Sequence, residues 1–244
     1  MIIQKKLSGQ TVQFEVVKRR GQKRIIVRPK AENYYIVSAP KYCSKKTIEN
    51  MIDNHREAIL SIPTMVDIKS HYKLGETITI FNQAVTIIQR VGKNDVYLED
   101  NYLIVQSFND KIEAVSKLVI EFLKSLLLEQ LEILVAAYQF VIPNTDLEAL
   151  SFRVKLLKSK FGSCQPSLMK ITMNLELVHY PIEYLKFIFL HEISHLKHRD
   201  HSQDFYRFFG SLYPNYKASR LQLNRLRTLL FKEGFQGLIK DLNV

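Results

Sequence analysis

The sequence predicts an α+β fold with a strand-rich front and a helical back, and three observations carry that expectation. Between residues 11 and 106, short runs of β-branched and aromatic residues alternate with Gly, Pro, Asn and Asp, the pattern of strands joined by turns. From about Asp110 the apolar residues recur at helical spacing until Pro143-Asn144 stops them. Further on, Phe189–Phe205 reads FLHEISHLKHRDHSQDF, in which His191 and His195 stand one helical turn apart. The expected division is a strand-rich N-terminal region with one helix over 1–110 and a metal-binding catalytic domain over 111–244.

In the front region, 11–17, 24–29 and 33–38 predict three antiparallel strands, ended by Ala39-Pro40. Ser44 is placed to cap a helix reaching about residue 61, with Ile48, Met51, Ile52 and Ile59 along one face and Ile62-Pro63 closing it. Further strands are expected at Thr77–Phe81, Ala84–Gln89, Val96–Leu98 and Leu103–Gln106, with Gly75, Gly92 and Asp100-Asn101 as turns. No internal repeat and no low-complexity segment stand out.

In the back region, a helix over about Asp110–Phe140 has the composition of core packing. Ser151–Leu157 and Met169–Leu175 read as strands around the segment Lys158–Cys164, with Pro166 at the turn. Pro181 suits the first turn of a helix, where its missing N–H is no loss, and that helix runs to about His198. Ser202 can cap a short helix over Gln203–Gly210, and Pro214 can open a last one to about Phe231. Arg220, Arg225 and Arg227 give this last helix a basic face, read first as solvated.

His191, Glu192 and His195 fit the His-Glu-x-x-His arrangement, in which two imidazoles on one helix face bind zinc and the glutamate flanks the open position. A catalytic zinc needs a third protein ligand, for which His198, Asp200, His201, Asp204 and Glu233 are candidates. On a continuing helix His198 would lie about 10 Å beyond His191, too far to share its metal. His201 becomes available if the helix ends after His195 and the chain turns back through Lys197–Asp200. Glu233, the only glutamate after Glu192, is the main rival, in the manner of a thermolysin-like site. The histidine spacing also equals that of the metzincins, but His198 replaces their glycine and no methionine follows Met173, so the Met-turn is missing.

Net charge of +11 and a pI near 9.5 point to an anionic ligand such as a nucleotide, a nucleic acid or an acidic peptide. The densest basic cluster, Lys18–Arg24, reads either as a solvated hairpin turn or as a phosphate-contacting loop. Cys43 and Cys164 are too few for a disulfide framework or a zinc ribbon. No apolar run approaches the roughly 18 residues of a membrane span, and MIIQKKLSGQ lacks the apolar core of a signal peptide, so a cytoplasmic protein without membrane association is expected.

The succession FGSC (Phe161–Cys164), ITMNLELVHYP (Ile171–Pro181), FLHEISHL and HSQDFY (His201–Tyr206) resembles the YgjP-like metallopeptidase family, relatives of the WLM and SprT-like zincins. The family pattern is approximately WGSC, a strand ending in LN, a proline-led HExxH helix and HSxxFW. Here Phe161 takes the place of the Trp, and Tyr206 closes the last motif. The resemblance implies a zincin-like fold, His191, His195 and His201 as zinc ligands, Glu192 as the catalytic acid/base, and a peptide or protein substrate. Tyr206, His179 and His198 are candidate oxyanion stabilisers by chemistry alone, each read first as structural. Two other classes share these residues. One is a metal-dependent hydrolase of nucleotide phosphoanhydrides using Lys158 and Lys160. The other is a basic nucleic-acid-binding module with a metal site.

Overall fold

Burial alternates residue by residue along the N-terminal strands, which fixes one face of a sheet towards a core. The computed structural model describes residues 1–7, 9–31, 33–60, 72–157 and 159–243, and the chain divides into two compact units, Met1–Ile68 and Lys69–Val244, with separate hydrophobic cores. In the first unit, β1 (Ile2–Leu7), β2 (Gln10–Arg19), β3 (Ile26–Ala31) and β4 (Tyr34–Pro40) form a sheet in the order β1-β2-β4-β3. Val12, Phe14 and Val16 of β2 face inward with Tyr35, Val37 and Ala39 of β4. Helix α1 (Lys45–Asn54) covers them with Ile48 and Ile52, and the Ser44 hydroxyl caps it by accepting the Thr47 N–H at 3.0 Å. The predicted single helix is interrupted at His55, after which α2 (Arg56–Leu60) follows.

The expected set of three antiparallel strands is corrected in two ways. β1 adds a fourth strand, and β2 pairs with β4 in parallel. The chain leaving β2 skips one position, and the β3–β4 hairpin folds back into the gap. Local patterning records which face of a strand is buried but not which strand lies beside it, so this order is invisible to periodicity.

The second unit begins with the same design. β5 (Thr77–Ile80), β6 (Gln83–Arg90), β7 (Asp95–Glu99) and β8 (Tyr102–Gln106) run in the order β5-β6-β8-β7 with the same antiparallel, parallel, antiparallel pairings, and a helix follows, α3 (Ile112–Tyr138). Equivalent backbone bonds mark the correspondence: Gln13 N–H donates to the Asn33 carbonyl at 2.8 Å, and Thr86 N–H donates to that of Asn101 at 2.9 Å. The expectation of no repeat is therefore wrong at the level of topology. Asn33-Tyr34-Tyr35-Ile36-Val37 and Asn101-Tyr102-Leu103-Ile104-Val105 are its trace in sequence, obscured because the flanking side chains differ.

The division expected at residue 110 falls inside this unit. Ile78, Ile80, Val85, Ile87, Leu103 and Val105 share one core with Val115, Val119, Leu123, Leu127 and Leu131 of α3, so sheet and helix cannot be separated there. A third sheet, in the order β10-β11-β9, joins the parallel strands β9 (Ser151–Lys155) and β11 (Lys170–Asn174) to β10 (Gly162–Gln165), antiparallel to β11 at the edge. β10 occupies part of the segment expected to be a connection. Helix α4 (Ile182–Lys197) is apolar almost all round, burying Tyr184, Leu185, Phe187–Leu190 and Ile193, and each such side chain contributes about 1.5–3 kcal/mol on burial. α5 (Gln203–Leu212) and α6 (Tyr216–Leu242) complete the unit, and α6 breaks at Gly234, whose φ of 66° is left-handed. Among the described residues, no helix is long and apolar enough to cross a membrane.

Candidate metal centre

The second half of α4 carries His191 and His195 on one face, and the chain then does what a third ligand requires. At His198 the backbone leaves helical conformation (φ −129°, ψ 108°) while its N–H still bonds the Ser194 carbonyl. Asp200 accepts the Ser202 N–H at 3.4 Å, and the Ser202 hydroxyl caps α5 by accepting the Phe205 N–H at 3.4 Å. This turn carries His201 back over the helix. The ligand-capable nitrogens of His191, His195 and His201 all lie within 4.8 Å of one another, and no other such group of His, Cys, Asp or Glu occurs among the described residues. Glu233 and His198 are outside it, Asp204 pairs with Arg207 at 2.6 Å, and Asp200 is engaged with Ser202.

The donor set fits zinc. The Nε2 atoms of His191 and His201 are 3.2 Å apart, close to the edge of about 3.3 Å expected of a tetrahedron with Zn–N bonds of about 2.0–2.1 Å. His195 Nδ1 lies 3.0 Å from the His198 carbonyl, which can only accept, so Nδ1 carries the proton and Nε2 keeps its lone pair for a metal. Burial, followed by the neighbouring His195, His201 and Arg220, holds the His191 imidazole down to about 3. Burial and the same kind of neighbours lower His201, so both rings are neutral donors near pH 7. Phe205, fully buried, lies under all three rings with centroid distances of 4.6–5.1 Å and fixes their planes.

Glu192, 5% exposed, sits beside this cluster against β10. Burial pushes its carboxyl up to about 7, against the pull of Lys160 and of the Cys164 N–H that hydrogen-bonds it. Gly162 explains how the strand comes so close: a Cβ there would stand 2.7 Å from Glu192 Oε1 and 2.9 Å from its Cγ. Cys164 is no nucleophile, because burial and the nearby Glu192 push its thiol up to about 12.

Asn174, the last residue of β11 and fully buried, holds the segment leading into β10. Its Oδ1 accepts the Leu157 N–H at 3.0 Å, and its Nδ2 donates to the carbonyls of Leu157 and Lys160, each at 3.0 Å. Behind this segment Arg227 pairs with buried Glu176 at 3.1 Å and lies over the Phe161 ring, 4.6 Å from its centroid. Neither role could be assigned from sequence, although Asn174 and Gly162 both lie in the recognised motifs.

Two cavities flank the centre and share Gly162, His191, Glu192 and His201. One, of about 430 Å³, runs along β10 to Ser167 and Arg199, and the other, of about 470 Å³, runs between α4, α5 and α6. Of the three oxyanion candidates, only Tyr206 lines either of them. His179 is buried elsewhere between Tyr72 and Thr79, and the His198 ring packs 5.9 Å from that of Phe208. Lys160 lines the second cavity, whereas Lys158 lies outside the described residues.

The chain is similar to the metallopeptidase zymogen of Methanocaldococcus jannaschii jannalysin, whose crystal structure is 18% identical, with 42% of this chain and 96% of that chain covered and a TM-score of 0.33. No curated protein matches. A family model described as the YgjP-like metallopeptidase domain matches residues 23–226, taking in most of the first unit as well as the three-histidine segment. By that match the chain belongs to the YgjP-like metallopeptidase family, and is a metallohydrolase.

Proposed function

We propose that this protein is a zinc-dependent peptidase with His191, His195 and His201 as metal ligands and Glu192 as general base and acid. The observation that carries the reading is a buried carboxylate poised near neutrality beside three converging imidazoles. Zinc, when bound, supplies Lewis acidity and lowers the pKa of water towards 7. Glu192 accepts a proton from the attacking water and returns it to the leaving amine, a two-way role suited to a carboxyl whose pKa lies near the working pH. Gly162 and the Cys164 N–H hold that carboxylate in place. The open edge of β10 offers backbone groups to an extended peptide, the mode by which sheets bind strands. The free thiols Cys43 and Cys164 support a reducing, cytoplasmic setting.

The test is elemental analysis beside peptide turnover. About one zinc per chain is expected in the wild type, lost in His201→Ala and kept in Glu192→Gln, with kcat lowered about 10²–10⁴-fold in the latter. A wild type that binds zinc but releases pyrophosphate from nucleoside triphosphates, and cleaves no peptide, would reverse the substrate assignment.

A further inference from the structure

The cavity of about 470 Å³ beside the metal centre combines apolar walls with a surplus of positive charge. Phe187 and Ile188 of α4, Phe209 of α5, and Tyr216 and Leu223 of α6 form the walls. Lys160, Arg220 and Arg227 also line it, and the only acidic residue in its lining is Glu192. Arg227 is committed to Glu176 at 3.1 Å. Among the described residues, Lys160 and Arg220 have no carboxylate in ion-pair range. Arg220 lines the same cavity as His191 and His201. A metal dication beside those rings would add to the same positive field, so the cavity calls for an anion from the ligand.

Strand geometry says which part of a peptide would bring it. A chain added to the edge of β10 gains the straighter hydrogen bonds of antiparallel pairing, and then runs from the Gln165 end of the strand towards the Gly162 end. Past Gly162 it meets Phe161, Lys160 and this cavity, so residues C-terminal to the cleaved bond enter it. Building on the peptidase reading, we propose that Arg220, with Lys160, binds a substrate carboxylate one or two residues beyond the scissile bond, while the apolar walls take the side chain next to that bond. The substrate class is peptides carrying a negative charge there, from either the terminal carboxylate or an acidic side chain.

The experiment uses full-length, zinc-loaded Glu192→Gln protein, which binds without turning over, and three matched peptides titrated calorimetrically: one ending in a free carboxylate just past the bond, its amide, and an amide carrying Asp at that position. The carboxylate-bearing peptides are expected to bind about ten- to a hundredfold tighter than the plain amide, as loss of charge-assisted hydrogen bonds implies. Arg220→Gln removes that preference, and Arg220→Lys retains part of it. Arg220 is exposed on α6, so these substitutions leave the fold intact. Tighter binding of the free acid alone assigns the terminal carboxylate, and equal gain from Asp assigns the charge irrespective of source. Equal binding of all three peptides overturns the inference while sparing the peptidase reading. No binding together with no cleavage of any peptide by the wild type overturns both.

Discussion

Gly162→Ala tests whether the position of Glu192 governs the chemistry. The new Cβ would lie 2.7 Å from Glu192 Oε1, 2.9 Å from Cγ and 3.0 Å from Cδ. Ordinary contact begins near 3.5 Å, so the carboxylate must retreat by about half an ångström or more. Glu192 is buried and bonded to the Cys164 N–H, so the displacement shifts the carboxylate from that position within the site and not into solvent. Gly162 lacks a left-handed φ, so alanine brings no backbone strain and the effect is steric. A misplacement of about 1 Å costs about 10²-fold, which predicts a kcat lower by about ten- to a hundredfold. Zinc content should be unchanged, and stability should fall by about 1–3 kcal/mol from overpacking. Peptide turnover, elemental analysis and urea unfolding measure the three quantities. In a Glu192→Gln background the same alanine should cost no further activity, since the group it displaces is already disabled. Wild-type kcat in a fully metal-loaded Gly162→Ala enzyme would refute the reasoning.

Two further outcomes follow from buried polar groups. Asn174→Ala should lose about 3 kcal/mol in chemical denaturation while retaining zinc, because it leaves the backbone of Leu157 and Lys160 without its partner and touches no ligand; a loss below about 1 kcal/mol would contradict this. His179 is held down to about 4 by burial, its Nδ1–H donating to the Thr79 carbonyl and its Nε2 accepting from the Tyr72 hydroxyl. The unfolded chain therefore takes up a proton below about pH 6.5 that the folded one refuses until about 4, so stability is full above that window and falls through it on acidification, by about 3 kcal/mol. His179→Gln, compared with wild type across pH 4–7, should flatten that slope, and parallel slopes would assign the loss to other groups.

The sequence exposed the helical half and the metal-binding candidates well because both are written in short-range spacing. His191 and His195 declare themselves by one helical turn, and the polar run before Ser202 marks the break that brings His201 over. What stayed hidden was whatever depends on a distant partner. Gly162 looks like a turn glycine until Glu192, thirty residues on, is seen against it. Arg220 and Arg227 look alike as basic residues of one helix, and both line the cavity beside the histidines, yet Arg227 is paired with buried Glu176 whereas Arg220 has no carboxylate in ion-pair range among the described residues. The parallel pairing of β2 with β4 and of β6 with β8, and the core shared by the second sheet and α3, are likewise decided by tertiary packing, which local propensity does not encode.

The separation of the two cores has a consequence for a chain emerging from the ribosome. The first closes on residues between Ile3 and Ile59, all of them available before β5 has been made. The second draws on residues from Tyr72 to Leu238, so it cannot close until nearly all of them have been synthesised. Units of this kind fold in order of synthesis. The histidine cluster therefore assembles last, and a half-made chain can complete the first sheet and its core but not the histidine cluster.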